Sequence, residues 1–186
     1  MEGYPVNKIS IKPLSLDTTN KLFDFEIENR SYFNTIGLSR SDAYYDRNSF
    51  QEILKCLVEE QEKGIHYMYL VMNEQDEVIG RINLTDVIRG PLNKAELGYR
   101  IHEKHQGKGV ATAAVEQILT QANSVHKLHR IEAGTSPHNI GSQTVLTKNG
   151  FRFVGTYTQY IFNGDEWTDS MLFEKVIDER DKSNVQ

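Results

Sequence analysis

Within residues 65–122 the sequence passes from three strand-like runs to a helical period, and that change constrains the fold more than any other feature. Three runs, IHYMYLVM (65–72), EVIGRINLT (77–85) and AELGYRIH (95–102), are rich in β-branched and aromatic residues and read as strands. NEQD between the first two is a hairpin-sized connection, and no crossover helix separates any of the three from the next. The third run enters HQGKGVATAAVEQILTQA (105–122), two glycines and a lysine against a run of good helix formers. A chain built this way is not a regular doubly wound α/β protein.

The flanking segments extend the pattern. KISIKPL (8–14) alternates as a strand before Pro13. TTNKLFDFEIENR (18–30) sets Leu22, Phe25 and Ile27 on or near one helical stripe, with Asp17 as its cap. SYFNTIGLSRSDAYYDRNS reads as irregular, and residues 49–62 return to helix with Ile53, Leu54, Leu57 and Val58 at helical spacing. After the glycine motif, Ala111, Val115, Ile118 and Ala122 form one helix face. HRIEAGT (129–135) is a strand, GSQTVLTKNG a helix with a glycine C-cap, FRFVGTYTQY a strand, and NGDE a turn into WTDSMLFEKVI. The order β-α-α-β-β-β-α-β-α-β-β predicts a mixed α/β (α+β) sheet in one domain spanning residues 1–186, with an ordered core over about 8–178 and a polar tail.

Composition matters for what it excludes. A net charge of −5 argues against nucleic acid or an anionic membrane as the main partner. Cys56 is the only cysteine, so no internal disulfide forms, as suits a reducing compartment. MEGYPVNKIS has no apolar h-region, and the longest apolar stretch, 65–72, is far too short to span a membrane. The expectation is a cytoplasmic protein.

A helix N-terminus carries unpaired N–H groups and partial positive charge, and glycines there let a phosphate approach the backbone. Gln106-Gly107-Lys108-Gly109-Val110-Ala111 is not a Walker A loop, because one residue separates the glycines and Gly109 follows the lysine. Nor is it a dinucleotide fingerprint, because Thr112 stands at the third glycine position. The remaining reading is Q-x-x-G-x-A, which resembles the acetyl-CoA loop of the GNAT superfamily of N-acetyltransferases. Asn139-Ile140-Gly141-Ser142 followed by Lys148-Asn149-Gly150-Phe151 is similar to the N-x-x-S…K-x-G-F signature of the same superfamily, one strand and one helix after the loop. Within it, Lys94-Ala95-Glu96-Leu97-Gly98-Tyr99 and Asn163-Gly164 with Trp167 and Asp169 resemble the bacterial ribosomal-protein N-terminal acetyltransferases, the Rim J/L-like branch. The likeness is good over Val78 to Phe173 and only generic over residues 1–65.

The resemblance implies a splayed central sheet flanked by helices and a pantetheine arm lying between the strands at 95–102 and 129–135. It places the pyrophosphate on Gln106, Gly107, Lys108, Gly109, Val110, Ala111 and Thr112, and a carbonyl-polarising backbone N–H near Tyr99, Arg100 and Ile101. Asn139 would meet the pantetheine amide, or else cap a helix. The reaction implied is attack of a neutral amine on a thioester. The tyrosine that many members use as the acid is replaced by Leu146, and the position of a known glutamate base is Ile161. Ser142 is the substitute acid, the alternative being a plain serine at a helix start. Glu96 is the substitute base, the alternative being a strand pair with Arg100. His102 and His105 lack zinc-binding spacing, and no metal is expected.

An α-amine, with pKa near 7.7–8.0, is roughly a tenth neutral at pH 7, whereas a lysine near 10.4 is neutral at only about one part in a few thousand. A site without a strong base therefore suits a peptide N-terminus. Tyr32, Phe33, Tyr44, Tyr45, Tyr160 and Trp167 are the candidate acceptor-site residues, the alternative being a packing layer. The reading is an acetyl-CoA-dependent N-acetyltransferase acting on a protein α-amine. The alternatives are a small-molecule amine acetyltransferase, for a polyamine or an aminoglycoside, and a non-catalytic acyl-CoA sensor. A homodimer is compatible with each.

Overall fold

A computed structural model describes residues 8–177; the polar tail beyond lies outside the described residues. Seven strands form one sheet in the order β1-β2-β3-β4-β5-β7-β6. The chain groups into two compact units, one of residues 8–83 with Tyr99–Ala114, the other of Leu84–Gly98 with residues 115–177.

In the first unit, β1 (Ser10–Pro13) pairs antiparallel with β2 (Tyr67–Met72), from Ser10↔Met72 to Pro13↔Tyr69. Pro13 is tolerated because β1 is an edge strand. Three helices follow β1: α1 (Thr19–Glu28), α2 (Arg30–Thr35) and α3 (Arg47–Glu62). The stretch that reads as irregular thus contains a short helix, and Asp17 lies in a 3-10 turn without capping α1. Asp46 is the working cap, its carboxylate accepting the Ser49 N–H at 2.9 Å at the start of α3. Gln61 on α3 donates to the Leu14 carbonyl and accepts the Met68 N–H, tying the end of β1 to β2. Leu22, Phe33, Phe50, Leu54 and Leu70 are essentially fully buried, each stabilising the unit by about 1.5–3 kcal/mol. On α1 the buried stripe differs from expectation: Ile27 is exposed and Glu26 is buried.

β3 (Val78–Ile88) and β4 (Lys94–Ile101) contribute residues to both units. β4 pairs in parallel with β5 (Arg130–Thr135), and a parallel pair needs a crossover, which α4 (Val110–Ser124) supplies. The buried face of α4 is Val110, Ala114, Val115, Ile118 and Ala122, with Ala114 in the place expected for Ala111. β5 pairs antiparallel with β7 (Trp167–Val176), which also carries β6 (Arg152–Phe162). α5 (Ile140–Lys148) ends on Asn149, and the Phe151 N–H returns to the Leu146 carbonyl at 3.1 Å past Gly150.

Candidate active site

β4 leaves the sheet at Ile101, and the chain turns through Glu103–His105 before α4 begins. The Gln106 side-chain amide donates back to the Ile101 carbonyl at 2.8 Å, holding the loop against the strand end. Gly107 and Gly109 adopt φ values of +69 and +79, a conformation that L side chains rarely take. A Cβ at either would meet no heavy atom within 4 Å. Conformation rather than crowding therefore requires glycine here, and both glycines stand beside open space. Val110 is buried and anchors the helix start, while Lys108 is exposed. On the other flank, His102 Nδ1 accepts the Lys104 N–H at 3.1 Å, which leaves the ring proton on Nε2, 3.3 Å from Glu28. Lys104 and His102 together hold the Glu28 carboxyl below its ordinary range. The Ile101 side chain is buried, and that of Arg100, 10% exposed, reaches Glu26.

In the second unit the β4–β5 register runs Lys94↔Arg130, Ala95↔Ile131 and Glu96↔Glu132, and it ends there. β5 continues to Thr135 on its β7 side, and a Cβ at Gly98 would meet nothing within 4 Å. Two strands that stop pairing expose N–H and C=O groups that the amides of an extended ligand can satisfy. Glu96 stands at this parting point. Partial burial of its carboxyl pushes its pKa up, Asp86 and Glu132 push it further, and Lys94 opposes them. Glu132 is itself engaged by Lys94 at 2.6 Å. A Cβ on Gly134 would lie 3.1 Å from Ser170 Oγ and 3.8 Å from Glu96 Oε1, so the glycine keeps space open between the two. Gly134, Ser170 and Asp86 carry no motif and could not be singled out from sequence.

Asn139 caps α5, its Oδ1 accepting the Ser142 N–H at 2.9 Å. Ser142 lies in the first turn of that helix, and Leu146 is buried below it. Of the aromatic candidates, Phe33, Tyr44 and Tyr45 are core residues, with Tyr32 packed against them. Tyr44 meets Tyr45 and Phe50 edge-on at 5.4 and 5.2 Å, the geometry of a packing layer. Tyr160 and Trp167 are exposed on the β6–β7 hairpin, the first against Tyr157 and the second against Phe162. Beneath the layer lies a network that sequence patterning did not reveal. Arg81 donates to Glu26 and to the Tyr44 hydroxyl at 2.8 Å each, and Arg100 reaches the other Glu26 oxygen at 3.2 Å. The Glu96–Arg100 pair weighed from the strand pattern is thus not how Arg100 is engaged.

Among the described residues, no group of three or more His, Cys, Asp or Glu side chains could hold a metal ion. No helix among them is long and apolar enough to cross a membrane.

A parallel strand pair that stops pairing, and a glycine turn at a helix N-terminus, are two features that an acyl-CoA ligand calls for. The sequence profile described as Acetyltransferase (GNAT) domain matches residues 10–152, and the chain belongs to this family of N-acetyltransferases. It is 33% identical over 165 residues to a probable N-acetyltransferase, YjcK, of Bacillus subtilis (strain 168), covering 88% of this chain and 91% of that one. It is 29% identical over 153 residues to the [ribosomal protein uS5]-alanine N-acetyltransferase of Escherichia coli (strain K12), covering 82% and 79%. The crystal structure of a ribosomal-protein-S5-alanine acetyltransferase from Vibrio fischeri shares the fold. Its TM-score is 0.85 at 23% identity, over 92% of this chain and 94% of that one.

The enzyme uses acetyl-CoA, as this family does. The residues present suit that ligand: left-handed glycines beside open space at a helix start can receive a diphosphate, and the unpaired strand edge can receive amides.

Proposed function

We propose that the enzyme acetylates the α-amine of a protein or peptide N-terminus, of which a ribosomal protein is an example, in the cytoplasm. Glu96 carries this reading. It is an accessible carboxylate on the open part of β4 whose pKa is raised by burial and by its acidic neighbours. Such a group is a stronger base than an ordinary glutamate, and an α-amine, less basic than a lysine, asks less of it. The uS5-alanine N-acetyltransferase of E. coli, 29% identical, bears that acceptor in its name and supports the same choice.

In this mechanism Gln106, Gly107, Lys108, Gly109, Val110, Ala111 and Thr112 hold the diphosphate, chiefly through backbone N–H groups. Acetyl-CoA supplies a thioester carbonyl. Backbone N–H groups of the Tyr99–Ile101 segment polarise its oxygen. Glu96 accepts the proton lost by the acceptor ammonium, directly or through water in the space beside Gly134. Ser142, whose backbone is pinned by the Asn139 cap, is the proposed donor of a proton to the leaving sulfur. Tyr160 and Trp167, exposed on the β6–β7 hairpin, are the aromatic side chains available to an acceptor.

Release of CoA thiol tests the reading. Peptides with a free α-amine and no lysine support turnover on this account, and the same peptides blocked at the N-terminus do not. Turnover with spermidine alone would overturn it.

A further inference from the structure

The Glu26 network holds an unbalanced charge. Glu26 is fully buried and faces two guanidiniums, Arg81 from β3 and Arg100 from β4, whose side chains are 5% and 10% exposed. One carboxylate thus faces two largely desolvated cations, and a desolvated charge without its counter-ion is costly. Further cations stand close. Arg30 lies over the Tyr45 ring at 4.2 Å and is engaged by Asp42; Arg40 lies over the Tyr44 ring at 5.3 Å and has no carboxylate partner among the described residues. Burial, with Arg40 and Arg81 nearby, presses the Arg100 pKa down while Glu26 opposes it.

A second observation points the same way. Tyr45 is only 9% exposed, and its hydroxyl has no hydrogen-bond partner. That hydroxyl lies within the electrostatic reach of Glu26, Arg100, Arg30 and Arg40. A buried hydroxyl is seldom left unpaired, and this one lacks an acceptor in a place short of negative charge.

We propose that the acceptor carries a carboxylate, which Arg100 and Arg40 receive as cations and the Tyr45 hydroxyl meets as a donor. The inference rests on the acetyl-transfer reading above and names the substrate class. The buried groups alone are short of one negative charge, which a carboxylate supplies. A polyamine would add positive charge to a site already rich in it. Arg100 lies between Tyr99 and Ile101 on β4, the segment proposed to polarise the thioester carbonyl. The carboxylate therefore belongs to the residue that bears the amine or to the one after it.

The test pairs binding with turnover, so that the two readings can fail separately. Peptides with a free α-amine and Glu or Gln at the second residue are titrated calorimetrically into the CoA-loaded enzyme, and thiol release is followed with acetyl-CoA. Alanine and alanine amide serve as a second pair. The Glu peptide is expected to bind about tenfold or more tightly than the Gln peptide, the usual value of a charge-assisted bond. Arg100→Met, which leaves Glu26 and Arg81 matched one to one, brings that ratio close to unity. Arg40→Gln, on the surface, lowers it in part even if the first variant folds poorly. Discrimination confined to alanine over its amide keeps the carboxylate but moves its source to a small molecule, which overturns the peptide reading. Equal binding of both members in both pairs, or no binding of any, overturns the inference whether or not peptides turn over.

Discussion

Two places in this molecule set one buried glutamate between two arginines, and they differ in how far the arginines reach solvent. Glu26 meets Arg81 and Arg100 in the core of the first unit, with 0%, 5% and 10% of the side chains exposed. Glu174 on β7, itself only 8% exposed, meets Arg130 and Arg152 in the second, and there the arginines are 32% and 75% exposed. The second cluster can leave its surplus positive charge to water and salt. The first cannot, and so its carboxylate is needed for folding and its surplus is available for recognition. Glu96 is a third case. It is accessible, and partial burial with two neighbouring carboxylates raises its pKa rather than lowering it. The same residue type is thus indispensable to packing, eased by partners that reach water, or reactive, according to what surrounds it.

The contrast breaks most visibly at Glu26. Glu26→Gln leaves two buried guanidiniums without a counter-charge and is expected to cost about 3–5 kcal/mol. For a chain of this size that lowers Tm by about 10 °C, measurable by thermal unfolding. Glu96→Gln should leave Tm nearly unchanged and reduce kcat by about a hundredfold, at the lower end of what a general base contributes. Because the Glu96 pKa is raised, the acidic limb of the wild-type kcat/KM profile should lie above the ordinary glutamate range and vanish in the variant. Glu174→Gln, which removes a buried charge whose arginines reach solvent, should cost about 1.5–3 kcal/mol and less at high salt, whereas the Glu26→Gln penalty should persist there. The effect that appears only as pH falls concerns His126, whose pKa is lowered to about 4 by burial and then by Arg89. Its folded value lies below the unfolded value of about 6.5, so the unfolded chain binds the proton first. Stability falls gradually as pH drops from about 6.5 to about 4, and His126→Asn should flatten that slope in denaturant titrations.

Local chemistry made much of the fold legible. Strand alternation, NEQD as a hairpin, glycines where φ is positive and a cap-and-stop pattern around α5 are decided by near neighbours, and each appears close to where it was expected. The acetyltransferase family was legible because two spaced motifs carried it. Residues 31–46 were not, because a six-residue helix and a 3-10 turn have too few turns to show a period. Glu26 was hidden for another reason: its partners lie 55 and 74 residues away, and a lone acid on an apolar stripe reads as exposed. Gly134 and Ser170 were silent likewise, since their relation to Glu96 depends on strand register rather than on spacing along the chain. Ile27 showed the converse error, an apolar residue at helical spacing that the α1 stripe leaves outside.

One product analysis tests the central claim most directly. A peptide with a free α-amine and one internal lysine is incubated with the enzyme and acetyl-CoA near pH 7, and fragmentation mass spectrometry locates the added acetyl group. The account predicts acetyl on the α-amine alone. Acetyl on the lysine ε-amine, or an unmodified peptide alongside acetylated spermidine, would contradict it.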